Sequence, residues 1–213
     1  MALSQPAPRL RPTAVPGVTA ATLAALVDRR IRGFEDFESA AAQLFGTRHA
    51  VVVGSGRAGM AAILTHAGCR PGDELLVPSY TAPCVPGFFR ALGYKVRIAA
   101  ICPRRLVMTG ETVAAALGPR TRAVIPTHVE GVKAPMSEIA AALPPGTTIV
   151  EDAAHAVGAE ADGRPVGGYS AGAVHSFGKG KQLNTMFGGL SSRTTPGYPR
   201  QHVRRASDSH HRR

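Results

Sequence analysis

Tryptophan is absent from the 213 residues, and aromatic residues of all kinds make up only 5% of them. Ring platforms are therefore scarce. No basic stripe is interleaved with aromatics, as a groove for nucleic-acid bases would need. Acids are few as well: 14 stand against 25 lysines and arginines, for a formal net charge of +11. That excess does not form a binding face. From Arg193 onward six arginines are opposed only by Asp208, so the last segment carries nearly half of it. No nucleic-acid partner is expected.

Cysteine is limited to Cys69, Cys84 and Cys102, an odd number without a CxxC pair. This excludes a disulfide framework and suggests reduced thiols in the cytoplasm. Metal-ligand spacing is missing too. No apolar run is long enough to span a membrane. Pro6, Pro8, Pro12 and Pro16 interrupt the N-terminal residues, so no signal-peptide core is expected there.

What is present is a globular core composition, with 44% hydrophobic residues. Residues 1–18 form a Pro-rich segment without expected structure of its own. A helix is expected from about Thr19, with Leu23, Leu26, Val27 and Ile31 on one face. A second is expected from Glu35 to Phe45, with Phe37, Ala41, Leu44 and Phe45 inward and Gly46 as its cap. Short apolar runs follow at Ala50–Val53, Leu75–Val77, Val96–Ala99, Ala123–Pro126, Thr148–Glu151, Ala173–Phe177 and Gly189–Ser192. They are nearly continuous rather than alternating, as strands buried on both faces are. Helical patterns at Arg57–Ala67, Pro83–Leu92, Glu111–Leu117 and Met136–Leu143 lie between them. This rhythm predicts an α/β fold, a three-layer sandwich around a mostly parallel sheet, over residues 19–192. Residues 193–213 have almost no apolar side chains and read as a basic disordered tail.

In such a sheet, ligands bind beyond the carboxyl ends of the strands. Gly54-Ser55-Gly56-Arg57-Ala58-Gly59 follows the first run and opens a helix. Small residues and unpaired N–H groups there suit a phosphate, although a tight turn needs no ligand. Glu151-Asp152-Ala153-Ala154-His155 follows another run. Its carboxylates suit a helix cap, or equally a protonated ring nitrogen. Ser176 lies at the end of a third, and Lys181 follows it. A lysine is usually a solvated surface charge, but in a partly desolvated cleft it loses its proton and attacks an aldehyde. Together these strand ends offer what pyridoxal 5'-phosphate (PLP) requires: a phosphate cradle, an anion for the ring nitrogen, a ring-oxygen partner and an imine-forming amine.

The same residues resemble the DegT/StrS family of sugar aminotransferases, within the fold-type-I PLP enzymes. Phe34-Glu35-Asp36-Phe37-Glu38 with Gly46 is similar to the family's entry segment, and Gly54-Ser55-Gly56-Arg57-Ala58 to its SGTAA turn. Gly72-Asp73-Glu74 through Pro78-Ser79-Tyr80-Thr81 resembles GDEVIVPSxT, and Pro126-Thr127-His128 with Gly131 resembles VHxxG. Glu151 through Ala159 resembles EDAAQAHGA, Ser176 through Lys181 resembles SFxxxK, and Gly188-Gly189-Leu190 the strand after it. The resemblance implies that Lys181 is the catalytic Schiff-base lysine. Asp152 would face the ring nitrogen and His155, where the family often has Gln, the ring oxygen. Gly56, the backbone of Arg57 and Ala58, and Ser176 would hold the phosphate. The implied reaction moves an amino group from an amino acid donor to a keto sugar nucleotide, in a homodimer, for polysaccharide or antibiotic sugar synthesis.

Three features depart from the pattern. Ala82 stands where the family usually has a ring that stacks on PLP. Lys179 lies two residues from Lys181, though the spacing from Ser176 favours Lys181. The family also continues beyond the Gly-Gly strand, so the large domain is expected to be incomplete here, with an exposed sheet edge. An inactive remnant, or a subunit that needs a separate C-terminal half, is the alternative expectation. A PLP-dependent sugar dehydratase is disfavoured by Lys181, because members with that chemistry typically lack the lysine.

Overall fold

The computed structural model describes residues 33–161, 163–178, 180–181 and 188–193. The Pro-rich segment, the helix expected from Thr19, Lys179 and residues 194–213 lie outside them. The elements in chain order are α1 (Phe34–Leu44), β1 (His49–Val53), α2 (Gly56–His66), β2 (Glu74–Pro78), α3 (Cys84–Ala91) and β3 (Lys95–Ala99). They continue with α4 (Gly110–Ala116), β4 (Thr121–Val124), α5 (Met136–Ala141), β5 (Thr148–Asp152), β6 (Glu160–Ala161), β7 (Arg164–Pro165), β8 (Gly172–Ser176) and β9 (Gly189–Arg193).

Among the described residues, seven strands form one sheet in the order β1-β9-β8-β5-β4-β2-β3. The run from β3 to β8 is parallel. Strand β9 runs antiparallel to both of its neighbours. The mostly parallel sheet expected from the sequence is therefore present, with boundaries displaced by a residue or two. Among the described residues, the Gly-Gly strand does not itself form an edge of the sheet. Strand β9 is paired on both sides, and the outer strands are β1 and β3. A small hairpin of β6 and β7 escaped the periodicity reading, since two-residue strands carry no period. The Asp162-Gly163 dipeptide between them is its sequence signal.

Alternation along each strand sends neighbouring side chains to opposite faces. Leu75, Val77, Ala123, Ile125, Val150 and Val174 pack with Met60, Ile63 and Leu64 of α2 and Val85 and Phe89 of α3. Leu76, Val124 and Ile149 point the other way, to Val113 of α4 and Met136 and Ile139 of α5. Helices thus cover both faces of the sheet, the three layers expected.

Helix α1 corrects one expectation. Ala41, Ala42 and Phe45 are buried, but Leu44 is 64% exposed. At 3.6 residues per turn the buried stripe is centred between Ala41 and Ala42, which leaves Leu44 roughly 110° away. Phe37 is on the flank of the stripe, 37% exposed, with its ring edge-on to Phe177 at 6.1 Å. Gly46 caps the helix as expected. Its φ of +60° suits glycine, and the bonds Gly46 N–H to Gln43 O and Thr47 N–H to Ala42 O satisfy the last carbonyls. Among the described residues, no helix is long and apolar enough to cross a membrane.

Candidate active site

The first turn of α2 rests on the ends of β8 and β9, and two glycines make that approach possible. A Cβ on Gly59 would lie 2.9 Å from Val174 Cγ1. A Cβ on Gly189 would lie 2.7 Å from His175 O and 3.2 Å from Gly56 N. With hydrogens in their place, Gly56 comes to face Ser176, 3.9 Å from its Cβ as judged at the missing Gly56 Cβ. Ser55 caps the helix: its Oγ accepts the Ala58 N–H at 3.2 Å. The Ala58 N–H is thus engaged, and those of Gly56 and Arg57 are the ones without an intrahelical acceptor. The Arg57 guanidinium lies over the Phe88 ring, 5.7 Å from its centre, so the cation is directed at α3.

Asp152 ends β5 on the same sheet face as Val174, with which it pairs. Its backbone is held from both sides, by Asp152 N–H to Pro126 O at 2.8 Å and His128 N–H to Asp152 O at 3.0 Å. The buried carboxylate accepts the Ala154 N–H at 3.1 Å. Burial pushes the Asp152 carboxyl above its ordinary range, against the Ala154 hydrogen bond and the charges of Lys181 and His155. A cation brought into this site would relieve that carboxylate.

Beyond Ser176 the chain reverses in a turn closed by Lys181 N–H to Gly178 O at 3.1 Å, with Gly180 at φ +81°. The turn brings the Lys181 amine onto Nε2 of His155. The other ring nitrogen, Nδ1, is 3.0 Å from Oε1 of Glu130. Burial lowers the Lys181 pKa, opposed by Asp152, Glu130 and Cys84. A half-buried lysine with a lowered pKa is the environment a nucleophilic amine needs.

Ala82 is exposed at the entry to α3, and its carbonyl accepts the Val85 N–H at 2.8 Å. Beside it, Thr81 Oγ1 accepts from Thr127 Oγ1 at 3.2 Å, and Thr127 bridges to Asp152 in the sheet. The β2–α3 loop is thereby tied to the strand end that carries Asp152. The structure thus gathers Asp152, His155 and Lys181 in one cluster, with Ser176 and the start of α2 at the adjacent strand ends.

The sequence reading missed Glu130. It lies in a tight turn, with Val129 and Val132 exchanging hydrogen bonds of 3.0 and 2.7 Å. Glu130 and Gly131 have φ of +49° and +82°, the two positive values of a type I′ turn. Gly131 is the only local signal for that turn, and nothing local points the carboxylate at His155.

A second polar group lies on the opposite face. His128 Nδ1 accepts the Ala134 N–H at 3.1 Å, which leaves Nε2–H to donate to Glu151 Oε2 at 3.2 Å. The same oxygen accepts the Gly167 N–H at 2.9 Å. Burial would raise the Glu151 pKa, but the His128 and Gly167 hydrogen bonds hold it below the usual value. His175 is fully buried and stacks on Phe45, with ring centres 4.0 Å apart. Among the described residues neither of its nitrogens has a partner, and burial lowers its pKa to about 4.

Comparison with known proteins shows the family and the fold. A family model described as the DegT/DnrJ/EryC1/StrS aminotransferase family matches residues 25–194. The fold is similar to that of Spr1654 from Streptococcus pneumoniae in its PLP-form, with a TM-score of 0.80 and 20% identity over 92% of this chain and 57% of that one. It is similar to DesI, solved in the presence of its TDP-sugar product, with a TM-score of 0.77 and 30% identity over 95% and 53%. For S. venezuelae DesV the TM-score is 0.75, with 33% identity over 88% and 51%. The chain thus spans little more than half the length of these proteins.

Proposed function

Since the chain belongs to the DegT/DnrJ/EryC1/StrS aminotransferase family, we propose that it binds PLP across the ends of β1, β5 and β8 and serves amino transfer from an amino acid to a keto sugar nucleotide. The observation that carries this reading is the meeting of Asp152, His155 and Lys181 beyond the strand ends. The PLP-form of Spr1654 and the TDP-sugar product beside DesI support the cofactor and the substrate class.

The residues present fit the cofactor. The first turn of α2 offers the N–H groups of Gly56 and Arg57, with the Ser176 hydroxyl alongside, to a phosphate. Asp152 is a dry carboxylate that a protonated ring nitrogen would neutralise. His155 lies where it can reach an oxygen beside the lysine. Bound there, PLP supplies an electron sink for moving an amino group. Lys181 would supply the amine that holds the cofactor and a group to move a proton at the reacting carbon. Ala82 leaves one ring face without a stacking side chain from its own loop. The working form is proposed to be a cytoplasmic homodimer, with the sugar nucleotide and the amino acid as its small-molecule partners.

Absorbance of the purified protein with PLP, before and after borohydride, tests this beside Lys181→Ala. The expected result is a visible band that needs Lys181 and, after reduction, a mass adduct on the Lys181 peptide. Soluble, folded protein without the band or the adduct would overturn the cofactor assignment and favour a remnant or split subunit. Amino transfer itself is tested separately, by assaying keto sugar nucleotides with glutamate.

A further inference from the structure

We infer that Glu130 is a positioning residue that fixes the His155 tautomer, so that His155 Nε2 accepts a proton from the Lys181 ammonium. The inference rests on the role proposed for Lys181, and it adds a carboxylate–imidazole–amine chain to that role. Three side chains from separate segments are joined by two contacts. Glu130 Oε1 is 3.0 Å from His155 Nδ1, and His155 Nε2 contacts Lys181 Nζ.

A carboxylate only accepts hydrogen bonds, so Nδ1 must carry its proton when it faces Glu130. In neutral imidazole the other nitrogen is then bare. Here that bare nitrogen meets an ammonium group, which has donors and no acceptor. The transfer is balanced: one proton leaves Nζ, the electron pair remains on Nζ as the free amine, and Nε2 gains the proton. The imidazolium then has both nitrogens protonated, with its charge opposed by the Glu130 carboxylate. His155 and Glu130 are about a third exposed, so the proton passes on to solvent. Asp152, Glu130 and Cys84 are the acidic groups that act on Lys181, and Lys181 and His155 both act on Asp152.

The backbone argues the same way. Glu130 occupies a left-handed conformation, φ +49°, at the first central position of the type I′ turn that carries its carboxylate beside His155. A glutamine in place of His155 would offer a carbonyl or an amide, neither of which is a bare ring nitrogen. The histidine therefore gives this chain a proton acceptor at the lysine.

The test uses cofactor-free protein, so it stands apart from the PLP assignment. Nitrogen-15 NMR of the His155 ring reports the tautomer, and acetic anhydride labelling read by mass spectrometry reports the free amine of Lys181. Exposed Lys95 and Lys133 serve as internal references. In the native chain His155 is expected as the Nδ1–H form. Glu130→Ala is expected to shift it to Nε2–H and to slow Lys181 labelling roughly tenfold, below the hundredfold or more of a positioned base in a catalysed step. Glu130→Gln retains an oxygen acceptor and is expected to retain the tautomer. A native Nε2–H form, or an Nδ1–H form and a labelling rate that survive Glu130→Ala, would overturn the inference. If these results hold and no PLP band forms, the fault lies with the cofactor assignment instead.

Discussion

Glu151 and Asp152 are adjacent on one strand, as are His175 and Ser176 on another, yet each pair is divided between opposite faces of the sheet. On the α2 face, Asp152 joins His155, Lys181 and Glu130 in a cluster with access to solvent. On the other, Glu151, His128 and His175 are sealed, with no exposure at all. The residue types are nearly the same, and their surroundings set the difference. In the sealed group the His128 tautomer is locked by Ala134 and Glu151. In the open group the imidazole touches an amine on one side and a partly exposed carboxylate on the other. One cluster braces the strand end, and the other faces the proposed cofactor site.

The largest expected effect separates the two outright. Lys181→Ala should abolish the borohydride-fixed PLP adduct while leaving the urea unfolding midpoint at or above that of the parent chain. It removes a half-buried cation whose pKa burial already lowers. Glu151→Ala should do the reverse. It leaves the His128 and Gly167 donors without their acceptor and should cost about 3 kcal/mol in urea unfolding, as breaking a buried pair does. Glu151→Gln should recover much of that, since its amide oxygen still accepts. Equal losses of stability from Lys181→Ala and Glu151→Ala would erase the distinction between the faces.

Acid should act first on the sealed side. His175 has a folded pKa of about 4 against an ordinary 6.5. Above pH 6.5 it is neutral in both states and costs nothing. As pH falls from 6.5 to 4 the unfolded chain takes up the proton first, so stability is lost across that window. The shift corresponds to about 3 kcal/mol. His175→Phe keeps a ring against Phe45 and should flatten this limb in unfolding followed between pH 7 and pH 4. An unchanged limb would mean that His175 is not the group that titrates.

The smallest effect is a trade. The Asp152 pKa is raised by burial, so the unfolded state ionises more readily and Asp152 costs stability as pH rises through the acid range. Asp152→Asn should therefore stabilise the chain by about 1 kcal/mol at neutral pH, a common gain at strained functional sites. It should also weaken PLP retention on dialysis. Lower stability together with full retention would place Asp152 among the bracing residues.

How much of this was legible in the sequence follows from the range of each interaction. The runs from Leu75–Val77 to Ala173–Phe177 gave the strands, because a strand buried on both faces announces itself locally. Asp152, His155 and Lys181 stood out because each follows such a run, where ligands bind. Leu44 misled because apolarity alone does not fix the centre of a helical stripe. Ala41 and Ala42 do, through what packs on them. The pairing of His128 with Glu151 and of Glu130 with His155 was not legible, since both are set by which strands become neighbours. Glu130 was further hidden by its turn, in which a residue type rarely found at positive φ holds the place.

The position of β9 also sets an order of events for the folding chain. Among the described residues, strand β1 pairs with the sheet only through β9, the last strand described. Until Gly189–Arg193 is available, His49–Val53 has no neighbour to pair with, although it precedes every other strand. The parallel core from β3 to β8 can assemble first, while β1 waits through the synthesis of everything between. Closing so wide a loop is slow, so the rate at which β1 docks should limit the appearance of the proposed phosphate end of the site.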